Sequence, residues 1–363
     1  MVNVQHELKN LFHIGPRVKD DRYAWIDYAK GIAIILVVYR HAAYGLISSE
    51  IVVKPWVIDL NNALYSFRMP LFFLLSGLFF NRSLLKRSPK NYAIAKVNTL
   101  LYPYLLWAVI QITLQILSGG GYANADRSSA DYLNIFVQPR KLDQLWYLFA
   151  LFNVSMLYLL TTVVLKTKGK WQLLIGLVLL GIAPFLKNIS TFYDIALHYI
   201  FFSIGSVCAD FFFSERSRGQ LSSFSSLLLL LPLFVVSQYY FLRYPEMNLY
   251  LYAFVAIAGS IFTIVLSFIL SKYQVMDFLQ MLGHYSLYIY LIHVSVGAFI
   301  RYQLINIDWF REHTTVFLIV MIITTILLSI LLYRVLTMIG MQFLFKGSFR
   351  EVKHTSVINN QQA

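Results

Sequence analysis

Ten stretches of this chain are apolar for close to twenty residues each: 26–46, 63–80, 98–118, 144–165, 171–187, 195–213, 225–243, 248–270, 278–300 and 314–338. About twenty helical residues are needed to cross a bilayer. Within lipid, every backbone N–H and C=O must be satisfied inside the segment itself. The sequence therefore predicts an all-α integral membrane protein, a bundle of about ten transmembrane helices. Composition agrees, with 58% hydrophobic and 13% charged residues and a mean hydropathy of +0.64, far from a soluble average. The fifth and sixth runs are the least regular, being short or interrupted by Pro184.

Basic residues orient the bundle. Segments 1–25, 81–97, 166–170, 214–220, 271–277 and 338–363 hold 18 Lys and Arg, against 8 in the alternating set. Both termini are thus expected in the cytoplasm. Orientation and anionic lipid account for the net charge of +13, so no nucleic-acid partner is implied. The organisation read from this pattern is a tail at 1–24, one transmembrane domain at 25–340 and a tail at 341–363. The first 22 residues are polar, unlike a cleavable signal peptide. Cys208 is the only cysteine, which excludes an intramolecular disulfide. Gly119-Gly120-Gly121 reads as a loop hinge, since it lacks the Gly-Lys-Ser/Thr of a phosphate loop. No metal is expected.

Ionisable groups at membrane depth are costly and mark sites by default. The first span carries Asp27, Lys30, Arg40 and His41. Asp27, Lys30 and His41 share one helical stripe, with about 21 Å of rise from Asp27 to His41. Arg68 in the second span, Trp146 and Tyr147 in the fourth, His198 in the sixth, and Tyr290 and His293 in the ninth fall in the same outer layer. This layer predicts a site opening to the outer face.

Each residue has a plainer alternative. For His41 and His293 it is a hydrogen bond inside the bundle; for His198 and His284, a place near the headgroups. Asp27 and Lys30 read equally as a ligand contact or an i,i+3 ion pair. Arg40, about 100° around the helix from His41, is expected to snorkel to the interface, and Trp146 and Tyr147 suit an aromatic belt. On the inner side, Arg82, Lys86, Arg87 and Lys96 serve either orientation or a polyanionic cytosolic ligand.

A neutral imidazole can accept a hydroxyl proton and an arginine beside it can stabilise an oxyanion. A phosphate-binding inner face and a reactive outer layer suit a long donor threading between them. The main alternative is a transporter or flippase of a lipid-linked saccharide without bond chemistry; a scaffold role is the third.

The motif Trp25-Ile-Asp-x2-Lys-Gly-x9-His41 resembles the opening of membrane-bound acyltransferase family 3. So do Phe67-Arg-Met-Pro-Leu-Phe-Phe-x2-Ser-Gly77, Leu100-Leu-Tyr-Pro-Tyr-Leu-Leu-Trp107, Leu145-Trp-Tyr-Leu148 and Leu282-Gly-x2-Ser-Leu-x-Ile-Tyr-Leu-Ile-His293. Their order and spacing hold from about 22 to 300, nearest to the fucose 4-O-acetylase-like, exopolysaccharide-modifying branch.

The resemblance implies acyl, usually acetyl, transfer from cytosolic acetyl-CoA to a carbohydrate hydroxyl at the bacterial inner membrane. It makes a surface polysaccharide or lipid-linked glycan the acceptor and polysaccharide-assembly proteins candidate partners. His41 takes the place of the family's essential histidine, with Arg68 and His293 as further catalytic candidates. Asp27, Lys30, Trp146 and Tyr290 are the substrate contacts expected. The family's donor motif maps onto Lys96-Val-Asn-Thr99, where Lys96 and Thr99 replace two frequent arginines, so Arg82, Lys86 and Arg87 are expected to add donor charge. Arg40 stands where the family often has glycine.

Overall fold

The computed structural model describes residues 23–118 and 127–351, all helix, turn or loop. The tail at 1–22, the Gly119-Gly120-Gly121 hinge and residues 352–363 lie outside the described residues. In chain order the α-helices are α1 (Ala24–Ser48), α2 (Pro55–Ala63), α3 (Tyr65–Leu78), α4 (Phe80–Lys86), α5 (Pro89–Lys96) and α6 (Tyr102–Ser118). They continue with α7 (Trp146–Val163), α8 (Gly169–Ile182), α9 (Ser190–Val207), α10 (Ala209–Phe213), α11 (Glu215–Leu221) and α12 (Phe224–Arg243). The last are α13 (Leu249–Tyr273), α14 (Asp277–Leu304), α15 (Asp308–Glu312) and α16 (Thr314–Met338).

Among the described residues, nine helical segments are long and apolar enough to cross a membrane. The protein is a multi-pass membrane bundle. α9 is not among the nine, because Asp194, His198 and several hydroxyl residues dilute its hydropathy. Its contacts nevertheless carry it across the same depth as α3. Phe73 stacks on His198, and eight residues further along both segments Asn81, at the start of α4, donates to the Ser206 carbonyl at 3.4 Å. α9 therefore runs parallel to α3, beside the nine segments that are long and apolar enough to cross. Most of its side chains are buried because α3, α7 and α8 enclose it.

α1 and α14 are the most intimate pair and run parallel. Tyr28 donates to Asp277 at 2.5 Å near their starts. A Cβ on Gly31 or Gly283 would overlap the facing backbone of Leu279 or Asp27. Such small residues let backbones touch, the usual solution where lipid supplies no hydrophobic drive between helices. α3 runs antiparallel to α1: Arg68 donates to the Leu36 carbonyl, and Arg82 donates to the Tyr23 hydroxyl. Asn98 bonds Phe349 in both directions, at 2.8 and 3.0 Å. Both described chain ends thus lie on the face that carries Arg82, Arg87 and Lys96, here called the basic face.

Prolines shape two spans near the site. Pro70 inside α3 has no N–H to give the Ser66 carbonyl, and the Tyr252 hydroxyl of α13 donates to that carbonyl instead, at 3.1 Å. Between α5 and α6 the helix widens into a π turn over Val97–Leu101, just before Pro103. Pro184 ends α8 as an α-helix, and the chain continues as a 3-10 turn over Ala183–Leu186.

Candidate active site

α1 and α14 bring His41 and His293 together, with ring centroids 5.1 Å apart in an edge-to-face arrangement at 68°. His293 is buried, and its Nδ1 donates to the carbonyls of Ile289 and Tyr290 at 3.0 and 2.9 Å. Its Nε2 has no partner. That donation fixes the tautomer and leaves Nε2 as an acceptor. A void of about 20 Å³ separates the pair from Arg301 and Thr325, whose Oγ1 is also unpartnered. It is large enough for one water, with polar groups to hold it.

His41 is partly exposed. It opens onto a cavity of about 280 Å³ whose walls include Arg40, Tyr65, Arg68, Arg140, Gln144, Trp146 and Tyr290. Arg68 is 3% exposed. Its Nη1 donates to the Leu36 carbonyl at 3.1 Å and to Asn61 Oδ1 at 3.4 Å, and its guanidinium lies 4.5 Å above the Tyr65 ring. Two buried polar atoms in the cavity wall have no partner: Gln144 Oε1 and the Tyr290 hydroxyl. An unsatisfied buried polar group costs about 1–3 kcal/mol. A second cavity of about 160 Å³ shares Tyr65, Met69, Arg140 and Trp146 and extends to Tyr193, His198 and Tyr252. The two together fall within the ~300–1,000 Å³ range of small-molecule sites.

The segment before α7 closes the end of the cavity away from the basic face. It forms 3-10 turns at Ser129–Ile135 and Pro139–Lys141, held down where Tyr104 donates to the Ile135 carbonyl at 2.5 Å and Thr191 to the Phe136 carbonyl at 2.6 Å. Arg140 from this segment binds Asp194 Oδ1 through Nε at 2.7 Å and Nη2 at 2.5 Å, and lies 4.7 Å from the Trp146 ring. Burial works against the Arg140 charge, but Asp194 outweighs it and holds the guanidinium above its ordinary pKa.

His41, Arg68, Trp146 and Tyr290 thus meet in one cavity, with His293 directly behind. Tyr147 is buried against Phe73 and Tyr290, and His198 lies in the adjoining cavity between Phe73 and Trp146. Arg40 does not reach for the lipid interface; it lies over the rings of Tyr44 and Tyr65 at 4.4 and 4.8 Å. The kink at Leu64 swings Tyr65 across that side of α1. Arg140, Asp143 and Gln144 are not among the sequence candidates, since they come from a loop without periodicity; their position just before Trp146 is the available signal.

The basic-face residues do not join this cavity. Asp27 packs its backbone against Gly283, and Lys30 lies about 16 Å of helix below His41. Lys96 has Arg87 and Lys30 as charged neighbours, and Arg87 pairs with Glu351 at 3.7 Å. Arg82 instead lies over Phe213 at 3.7 Å, and Lys86 is exposed. The four expected donor contacts therefore have different surroundings. His284 packs edge-on to Tyr285, away from the site.

The sequence matches an acyltransferase domain over residues 23–334. The chain belongs to the acyltransferase 3 family. Membership of acyltransferase 3 makes it an acyl-transferring membrane enzyme, and the reading as a transporter without bond chemistry gives way. The match covers the bundle from the residue before α1 to within α16, so every wall of the His41 cavity lies inside it. No curated protein and no solved structure matches the chain.

Proposed function

We propose that this acyltransferase moves an acetyl group from acetyl-CoA, supplied at the cytoplasmic face, to a hydroxyl of a surface or lipid-linked carbohydrate at the bacterial inner membrane. The reading rests chiefly on the cavity at His41, where an imidazole, a buried guanidinium and two unpartnered polar atoms converge. Gln144 Oε1 and the Tyr290 hydroxyl offer hydrogen bonds to a polyol, and Trp146 offers an aromatic wall.

The acceptor oxygen attacks the thioester carbonyl carbon while His41 takes the hydroxyl proton. The carbonyl oxygen becomes an oxyanion, stabilised by Arg68. Collapse re-forms the carbonyl and breaks the C–S bond, and the thiolate leaves with the proton that His41 returns. The products are an ester and a free thiol. His293, edge-on to His41, positions the ring and faces the same small void. Lys30, Arg87 and Lys96 on the basic face suit donor phosphates.

The test is thiol release by the purified full chain supplied with acetyl-CoA and a glycan acceptor, with acetyl-ester formation followed by mass spectrometry. Removing a general base costs about 10²–10⁴-fold in rate, so His41→Ala is expected to lose that much while its thermal unfolding midpoint stays in place. Full turnover by folded His41→Ala overturns the assignment.

A further inference from the structure

The His41 cavity holds more positive charge than the acyl-transfer step uses. Four charged side chains line it: Arg40, Arg68, Arg140 and Asp143. Arg140 is matched by Asp194. Asp143 is matched by Arg127 at 3.7 Å and by the amides of Gln111 and Gln115 at 2.8 and 3.2 Å. Arg40 and Arg68 are left over. Among the described residues, neither has a carboxylate within 4.0 Å.

The arrangement of these two guanidiniums is the informative part. Both lie over the Tyr65 ring, at 4.8 and 4.5 Å from its centroid. Like charges drawn together where water is partly excluded repel each other, and an uncompensated buried charge is costly. The folded chain holds them there with neutral partners alone: the Leu36 carbonyl, the Asn61 amide and the tyrosine rings. An anion bound at either guanidinium would relieve the repulsion.

The chemistry supplies one negative charge, the oxyanion at Arg68, and only for the lifetime of the intermediate. The reacting end of a thioester brings none. Arg40 therefore faces the ground-state complex with an open fork of donors, a geometry matched to carboxylate and phosphate.

We infer that the acceptor is an acidic carbohydrate, whose carboxylate or phosphate is seated by Arg40 while its reacting hydroxyl faces His41. This rests on the proposed function and names the class of its acceptor. Arg40 and His41 line one cavity of about 280 Å³, so the anionic group and the acylated hydroxyl belong to the same or adjacent sugar units. The saccharide continues past Trp146 and Arg140 into the adjoining cavity.

The test is donor-free binding by isothermal titration of the detergent-purified full chain. The probes are a uronic-acid oligosaccharide, its methyl ester, a phosphorylated oligosaccharide and a neutral glucan of equal length. A charge-assisted contact predicts about ten- to hundredfold tighter binding of an acidic probe than a neutral one. Whichever acidic probe binds tighter identifies carboxylate or phosphate as the seated group.

Arg40→Gln is expected to abolish that preference while the thermal unfolding midpoint does not fall below that of wild type, since its repulsion with Arg68 is relieved. Equal binding of neutral and acidic probes by the wild-type protein, or an acidic preference that survives in folded Arg40→Gln, overturns the inference. Thiol release is scored separately. A protein that transfers acetyl equally well to neutral and acidic glycans refutes this inference and leaves acyl transfer standing. One that binds acidic glycan through Arg40 yet never releases thiol refutes the proposed transfer alone.

Discussion

Gly283→Ala tests whether backbone contact between α1 and α14 sets the geometry of the histidine pair. The added Cβ would overlap the carbonyl of Asp27, a backbone group that cannot rotate away. Restoring ordinary contact requires the helices to separate by on the order of 1 Å, and overpacking of this kind costs about 1–3 kcal/mol. Gly283 is ten residues from His293, about 15 Å along α14, so no ligand contact is altered. The expected consequence is catalytic even so. A misplacement of about 1 Å arising far from the chemistry can cost roughly 100-fold, because His293 and Tyr290 would shift against His41 and Arg68. The assay is thiol release, paired with thermal unfolding in the same detergent. Gly219→Ala is the control: no atom lies within 4 Å of its added methyl, and alanine in place of an exposed helical glycine gains up to about 1 kcal/mol. A folded Gly283→Ala with wild-type rate and midpoint would show that the histidine geometry does not depend on this contact.

Two further substitutions probe the supports of the site. Tyr252→Phe removes the donor to the Ser66 carbonyl that Pro70 leaves open, and is expected to lower stability by about 1–3 kcal/mol; an unchanged denaturation midpoint would contradict that role. Asn98→Ala removes both side-chain bonds to Phe349, so limited proteolysis should cut 345–351 faster while the transmembrane core stays intact; equal cleavage rates would show that Asn98 does not hold the segment.

Much of this architecture is legible in the amino-acid sequence, for a physical reason. Apolar length is a local property, and each of the ten runs corresponds to a helical segment, nine of them long and apolar enough to cross a membrane. Polar groups at membrane depth are rare, which is why His41, Arg68, Trp146 and Tyr290 stand out and share a cavity. The illegible part depends on three-dimensional coincidence. Arg140, Asp143 and Gln144 ride on a loop whose docking rests on partners about fifty residues away, such as Asp194. Arg40 is illegible for a related reason, because helical angle alone places it away from His41. Tyr65, brought over by the break at Leu64, draws it into the same cavity. The inner basic residues form one group by closeness in sequence, yet Arg82 and Lys96 have separate neighbours.

The burial of α9 bears on how this protein is made. A charged residue disfavours the insertion of a membrane helix, most strongly at its centre, and α9 carries Asp194 in its second turn and His198 at its middle and is not among the nine apolar spans. α8 precedes it by a short connection and presents Gln172, Gly176 and Leu180 as its inward stripe, with Gly176 lying directly against Ile200. Pairing with α8 covers only the Ile200 side of α9; Asp194 and His198 are covered by Arg140, Phe73 and Trp146, so the full burial of α9 depends on α3, α7 and the segment before α7, all of which are synthesised ahead of it.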